Sequence, residues 1–163
     1  MRSFSNLWFW IALAVMWSSS SHWVLGVPFD MVTRAKRQGN QAEVDLIDIT
    51  RVNVNRLMYI GQVAGLWLAG IVCFALTVLG VLGFWYDVEF AQALFLLSFP
   101  MSLVGVLSLR AAALIERHAQ DAEDLCKRLS RHRLVTQIIG TFSIFVTVIW
   151  GMHRNFSIGV LGN

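Results

Sequence analysis

Apolar positions in this chain of 163 residues gather into four long runs instead of alternating with polar ones. The runs cover about residues 6–27, 57–86, 90–109 and 134–152, and each matches the roughly 20 apolar residues that a bilayer-spanning helix needs. Period-2 alternation is absent and no run is short, so strands are not expected. The pattern predicts an all-α, polytopic membrane protein: one integral domain over residues 1–163, with four transmembrane helices and helical extensions in the connecting segments at about 28–56 and 110–133. The first run is not read as a signal peptide. Its apolar part exceeds the roughly 7–15 residues of such a segment, and no small-residue cleavage site closes it.

The connecting segments carry helical periodicity of their own. From Gln41 to Arg56 the residues Val44, Ile47, Val52 and Val54 are interleaved with charges, and no Gly or Pro follows Gly39. An amphipathic helix leading into the second span is predicted. Beyond the third span, Ala111, Leu114, Ile115, Ala122, Leu125 and Leu129 recur at spacings near three and four, so that helix is expected to continue past the bilayer, with a turn near Ser130 returning the chain to the fourth span. These stripes either pack on one another or form a docking surface for a partner subunit. Pro100 frees a backbone carbonyl near Leu96 in the middle of the third span, where a kink is expected and the hydroxyl of Ser98 or Ser102 is available to the freed group.

Composition strengthens the membrane reading: the chain is 56% hydrophobic and 14% charged, with seven Trp and eleven Phe, against about 25% charged in ordinary soluble domains. All 13 Lys and Arg lie outside the four runs. Arg34, Lys36, Arg37, Arg51 and Arg56 fall in the first connection and Arg110, Arg117, Lys127, Arg128, Arg131 and Arg133 in the third; the second holds only Asp87 and Glu89, and the tails hold Arg2 and Arg154. The positive-inside rule places both long connections in the cytoplasm and both termini on the outer side of the membrane. Trp8, Trp10, Trp85, Tyr86 and Trp150 would form the outer aromatic belt, and Trp23 and Tyr59 the inner one. The pI near 9.3 does not point to nucleic acid. Each basic segment is mixed with Asp and Glu, as in a solvated face beside lipid headgroups.

Small residues mark packing faces. Gly61, Gly65, Ala69, Cys73 and Thr77 recur at intervals of four in the second span, and Gly140, Ser143, Thr147 and Gly151 at three and four in the fourth. Such stripes let another backbone approach, within the chain or from a partner. The run Ser18, Ser19, Ser20, Ser21 and His22 covers every face of the first helix, so one side is expected against a neighbouring helix and another against a partner or a polar headgroup.

Chemistry within the bilayer would need ionisable groups at depth. Only His22 qualifies, while Gln62, Gln92 and Gln137 cannot relay charge by titration. A channel, a pump or an intramembrane enzyme is therefore not expected, and no catalytic residue is assigned. A haem would need a second His facing His22 at equal depth, and only His132 comes near. His118, Cys126 and His132 match no zinc spacing, so neither metal nor cofactor is expected. Cys73 and Cys126 would lie at different depths and stay reduced.

The segments MRSFSNLWFW, SHWVLGVPFDM, AQALFLLSFPMSLVGVLSLR and VTVIWGMHRN resemble small inner-membrane proteins of alphaproteobacteria that are commonly described as a component of the SufBCD complex, the ATP-driven iron–sulfur cluster assembly machine. The similarity extends over nearly the whole chain. What this resemblance implies is a membrane anchor for SUF proteins. Participation in the cluster chemistry would need several Cys or His ligands or a phosphate-binding loop. The residues themselves lead to a non-catalytic accessory or assembly subunit of a larger membrane complex, respiratory or photosynthetic, acting through helix packing with other integral membrane proteins and with lipids. A small haem-binding electron carrier is the remaining alternative.

Overall fold

A computed structural model describes residues 4, 6–118 and 121–161, with backbone alone at 118 and 157–161. Helix α1 spans Leu7–His22, a hairpin pairs β1 (Trp23–Val24) with β2 (Val27–Pro28), and four helices follow: α2 (Phe29–Gln38), α3 (Gln41–Gly80), α4 (Glu89–His118) and α5 (Ala122–Leu161). Among the described residues, the regular structure outside this short ribbon is entirely helical.

Local chemistry explains the boundaries. Asn6 caps α1, its side-chain oxygen accepting the Trp8 amide at 3.1 Å. Leu25 (φ 55°) and Gly26 (φ 77°) form the two-residue hairpin turn, the positive pair that matches the twist of the strands. Gly26 is required twice, because a Cβ there would also lie 3.1 Å from Asn53 Oδ1. The strain at Leu25 is offset by burial of its side chain in the core. Gly39 (φ 61°) ends α2, donating its amide to Ala35 O. Helix α3 closes through a π-helical turn, Val81–Trp85.

Three helical segments, Gln41–Trp85, Glu89–Arg117 and Ala122–Phe156, are long and apolar enough to cross a membrane. The expected four spans are thus met by three in this sense. The first predicted span, 6–27, is helical for only 16 residues before the hairpin begins, about 24 Å of helix against a hydrocarbon core near 30 Å. Consecutive Leu-Gly at a positive-φ turn ends it. The amphipathic segment and the second span are one unbroken helix of 40 residues, and α4 continues past the third apolar run as expected. The turn expected near Ser130 is displaced: Ser130 lies well inside α5, which already begins at Ala122. Asp121, Glu123 and Asp124 stand at that helix start, where acidic groups favour an N-terminus.

Two cores result. At the arginine-rich end, α2, the hairpin, the first half of α3, the end of α4 and the start of α5 bury Val27, Val32, Leu46, Val54, Ala112 and Leu129 together. On α3 the buried positions Ala42, Leu46, Thr50 and Val54 recur every four residues, one helix face. Further along, Leu13, Trp17 and Val104 form a second cluster between α1, α4 and α5.

Candidate interaction surfaces

The serine run sits on the last turn of α1 and is divided by its surroundings. Ser20 donates to Met16 O one turn back at 2.8 Å and lies 3.6 Å from Met101 Sδ of α4. Ser21 Oγ accepts from Gln137 Nε2 of α5 at 3.1 Å. Ser18, Ser19 and His22 are exposed on the other side, and the His22 ring stacks edge-on against Trp23. A helix turning about 100° per residue cannot present four successive side chains to one neighbour.

The two small-residue stripes have opposite fates. On α5, Gly140, Ser143, Thr147 and Gly151 are all buried. Trp17 of α1 lies so close to Gly140 that an added Cβ would be 2.6 Å from its ring, and Phe4 and Trp10 cover Gly151. The hydroxyl of Thr147 is satisfied within its own helix, donating to Ser143 O at 2.8 Å. On α3, Gly61 touches Leu109, Gly65 has no atom near its missing Cβ, and Ala69, Cys73 and Thr77 are exposed. Every residue from Leu66 to Ala75 is exposed. Nothing in the described chain covers this part of α3.

Where α1, β1 and its turn, α3, α4 and α5 converge, a groove of about 390 Å³ opens beside Ser20, Trp23, Arg56, Gly105 and His132. His132 Nε2 is 3.1 Å from Ser108 Oγ. His22 does not line this groove, so His22 and His132 do not meet in it. The side chain of His118 lies outside the described residues. Among those described, no group of three His, Cys, Asp or Glu side chains could hold a metal ion. Cys126 is buried at the arginine-rich end, ahead of the apolar stretch of α5 that opens at Leu134, and burial pushes its thiol pKa up. That shift disfavours the thiolate, the reactive form. Cys73 is exposed on α3, and both thiols are free.

A polar knot at the opposite end has no counterpart among the sequence expectations. Gln92 of α4 is buried; its Nε2 donates to Gly83 O at 2.8 Å and Asp87 Oδ1 at 3.1 Å, and its Oε1 accepts from Trp150 Nε1 at 3.1 Å. Arg154 Nη1 donates to the same Asp87 oxygen at 2.7 Å. The Phe4 amide donates to Glu89 Oε1 at 2.8 Å. Gly83 permits the approach, since a Cβ there would sit 3.0 Å from the Gln92 amide nitrogen. The available signal was a lone Gln at the start of an apolar run, with Trp150 at the corresponding depth in the last one.

No family model, curated protein or solved structure shows significant similarity to this chain.

Proposed function

We propose that the protein is a non-catalytic accessory or assembly subunit of a larger bacterial inner-membrane complex, respiratory or photosynthetic, and that α3 is its partner-facing helix. The observation that carries this reading is the bare stretch 66–75 of α3 with its small-residue stripe, set against the equivalent stripe on α5 that α1 fills. In lipid, small residues gain packing energy only when a backbone approaches them. A partner helix supplies that approach.

The proposal includes four crossings, with both termini periplasmic. Helix α1 is short, yet Phe4 reaches Gly151 at one end of the α5 apolar stretch and Ser21 reaches Gln137 at the other. Local bilayer thinning accommodates such a mismatch at modest cost. The arginine-rich end is then cytoplasmic; Arg2 lies outside the described residues.

The test is purification from native membranes in mild detergent, with mass spectrometry of co-purifying subunits and an absorption spectrum. Gly65 and Gly70 have open space at their Cβ positions, so Leu at either leaves the fold intact. They lie about 140° apart around the helix. Gly65→Leu on the stripe is expected to strip the respiratory or photosynthetic subunits from the protein, and Gly70→Leu to retain them. Co-purification of SUF proteins would replace the complex named here by the anchor that the resemblance implies. A Soret band would replace the accessory role by electron transfer, and a colourless monomer would defeat the proposal.

A further inference from the structure

Most charged side chains at the arginine-rich end of α5 are occupied. Lys127 pairs with Glu123 at 2.6 Å and Arg128 Nε with Asp124 at 2.7 Å. Arg133 lies over the Phe29 ring, 3.8 Å from its centre. Arg110 and Arg131 are exposed and have no ion pair among the described residues. They stand instead on one groove between α4 and α5, about 300 Å³ in volume, which Arg128 also lines. Its remaining walls are mainly apolar, Leu107, Leu114 and Val135 among them, and no acidic residue lines it. The neighbouring groove between α3, α4 and the start of α5 differs, because Glu116 and Asp121 line it together with a single Arg51.

We propose that the α4–α5 groove binds one anionic phospholipid, with its phosphate between Arg110 and Arg131 and the first part of an acyl chain along Leu107 and Val135. Depth supports this assignment. Arg110 directly follows the apolar run of α4, and Arg131 stands three residues before Leu134, which opens that of α5. The guanidinium groups therefore lie at headgroup level, with Leu107 and Val135 one step deeper. Guanidinium forks suit phosphate oxygens, and basic pockets between transmembrane helices on the cytoplasmic side are suited to anionic headgroups. The volume holds a headgroup and the first methylenes, leaving the chains on the outer helix surface. Apolar walls favour a lipid over free phosphate, which would leave them wet. The site does not depend on which complex α3 joins.

The full chain, reconstituted in nanodiscs of phosphatidylcholine with a minor fraction of phosphatidylglycerol and released for native mass spectrometry, is expected to retain one phosphatidylglycerol in preference to phosphatidylcholine. Replacing Arg110→Gln together with Arg131→Gln should lower that retention roughly tenfold or more, the effect of losing two headgroup contacts. Arg34→Gln with Arg37→Gln, an equal charge change away from the groove, should leave it unchanged. All four side chains are exposed, so an unchanged thermal midpoint without added lipid verifies the fold. A second reading is the rise of that midpoint on adding phosphatidylglycerol, present in the wild type and absent in the Arg110/Arg131 variant. Equal loss in both double variants, or no preference in the wild type, would overturn the proposal. Displacement of the lipid by millimolar inorganic phosphate would overturn it in favour of a small-anion site.

Discussion

Gln92 shows how much one polar side chain can organise at the edge of an apolar helix. Its three hydrogen bonds tie the π-turn after α3, the start of α4 and the end of α5. Replacing it with Leu leaves Gly83 O and the Trp150 indole without those partners in a place poor in water. Loss of a buried partner costs about 1–3 kcal/mol. Trp150→Phe removes only one of the bonds and keeps the ring against Phe84, so its cost should be smaller, near the 0.6 kcal/mol typical of a single intramembrane hydrogen bond. Equilibrium unfolding in mixed micelles is expected to rank Gln92→Leu well below Trp150→Phe in stability; equal losses would mean that the knot contributes no more than its indole.

At the scale of elements, α1 is held by α5 through shape. Trp17 closes on Gly140 so tightly that Gly140→Ala forces the indole to move, and overpacking of this kind costs roughly 1–3 kcal/mol. Trp17→Leu in the same chain should relieve the clash, so that the double variant is more stable than the sum of its parts requires. A double-mutant cycle measures this coupling; strict additivity would show that the two residues do not meet. On α3 the equivalent stripe meets Leu109 at Gly61 but has no partner among the described residues from Gly65 onward, which is why Leu at Gly65 is expected to act on association and not on folding. The serine run belongs with these elements. Its inner half, Ser20 and Ser21, reaches α4 and α5, and its outer half has only small exposed hydroxyls to offer.

For the whole molecule, charge is segregated between the two ends, with the arginine-rich helical bundle at one and Asp87, Glu89 and Arg154 at the other. Orientation can be read with cysteines placed at exposed positions. In intact spheroplasts a membrane-impermeant maleimide is expected to label Val88→Cys and to reach Gln38→Cys or Glu123→Cys only after permeabilisation. Labelling of either latter position from outside would invert or abolish the proposed topology. Native Cys126 should stay silent throughout. Burial raises its pKa, so the thiolate fraction at neutral pH is lower than that of a solvated thiol, and alkylation should appear only on unfolding.

The membrane class, the apolar runs and the charge asymmetry were legible in the sequence because each depends on composition within a window no longer than one helix. So was the continuation of the third helix beyond its apolar run, which needs only a periodicity of three and four. The tertiary structure decided the matters that depend on which distant residue stands at equal depth. Gly140 and Gly65 carry the same local signal, yet only one meets an aromatic ring from α1. Arg110 and Arg131 look like parts of a mixed, solvated segment until two antiparallel helices set them on one groove. Gln92 reads as an isolated polar residue until Gly83 and Trp150 arrive from other turns. Helix–helix contact in lipid is a matter of surface relief and depth matching, and neither is a property of a single segment.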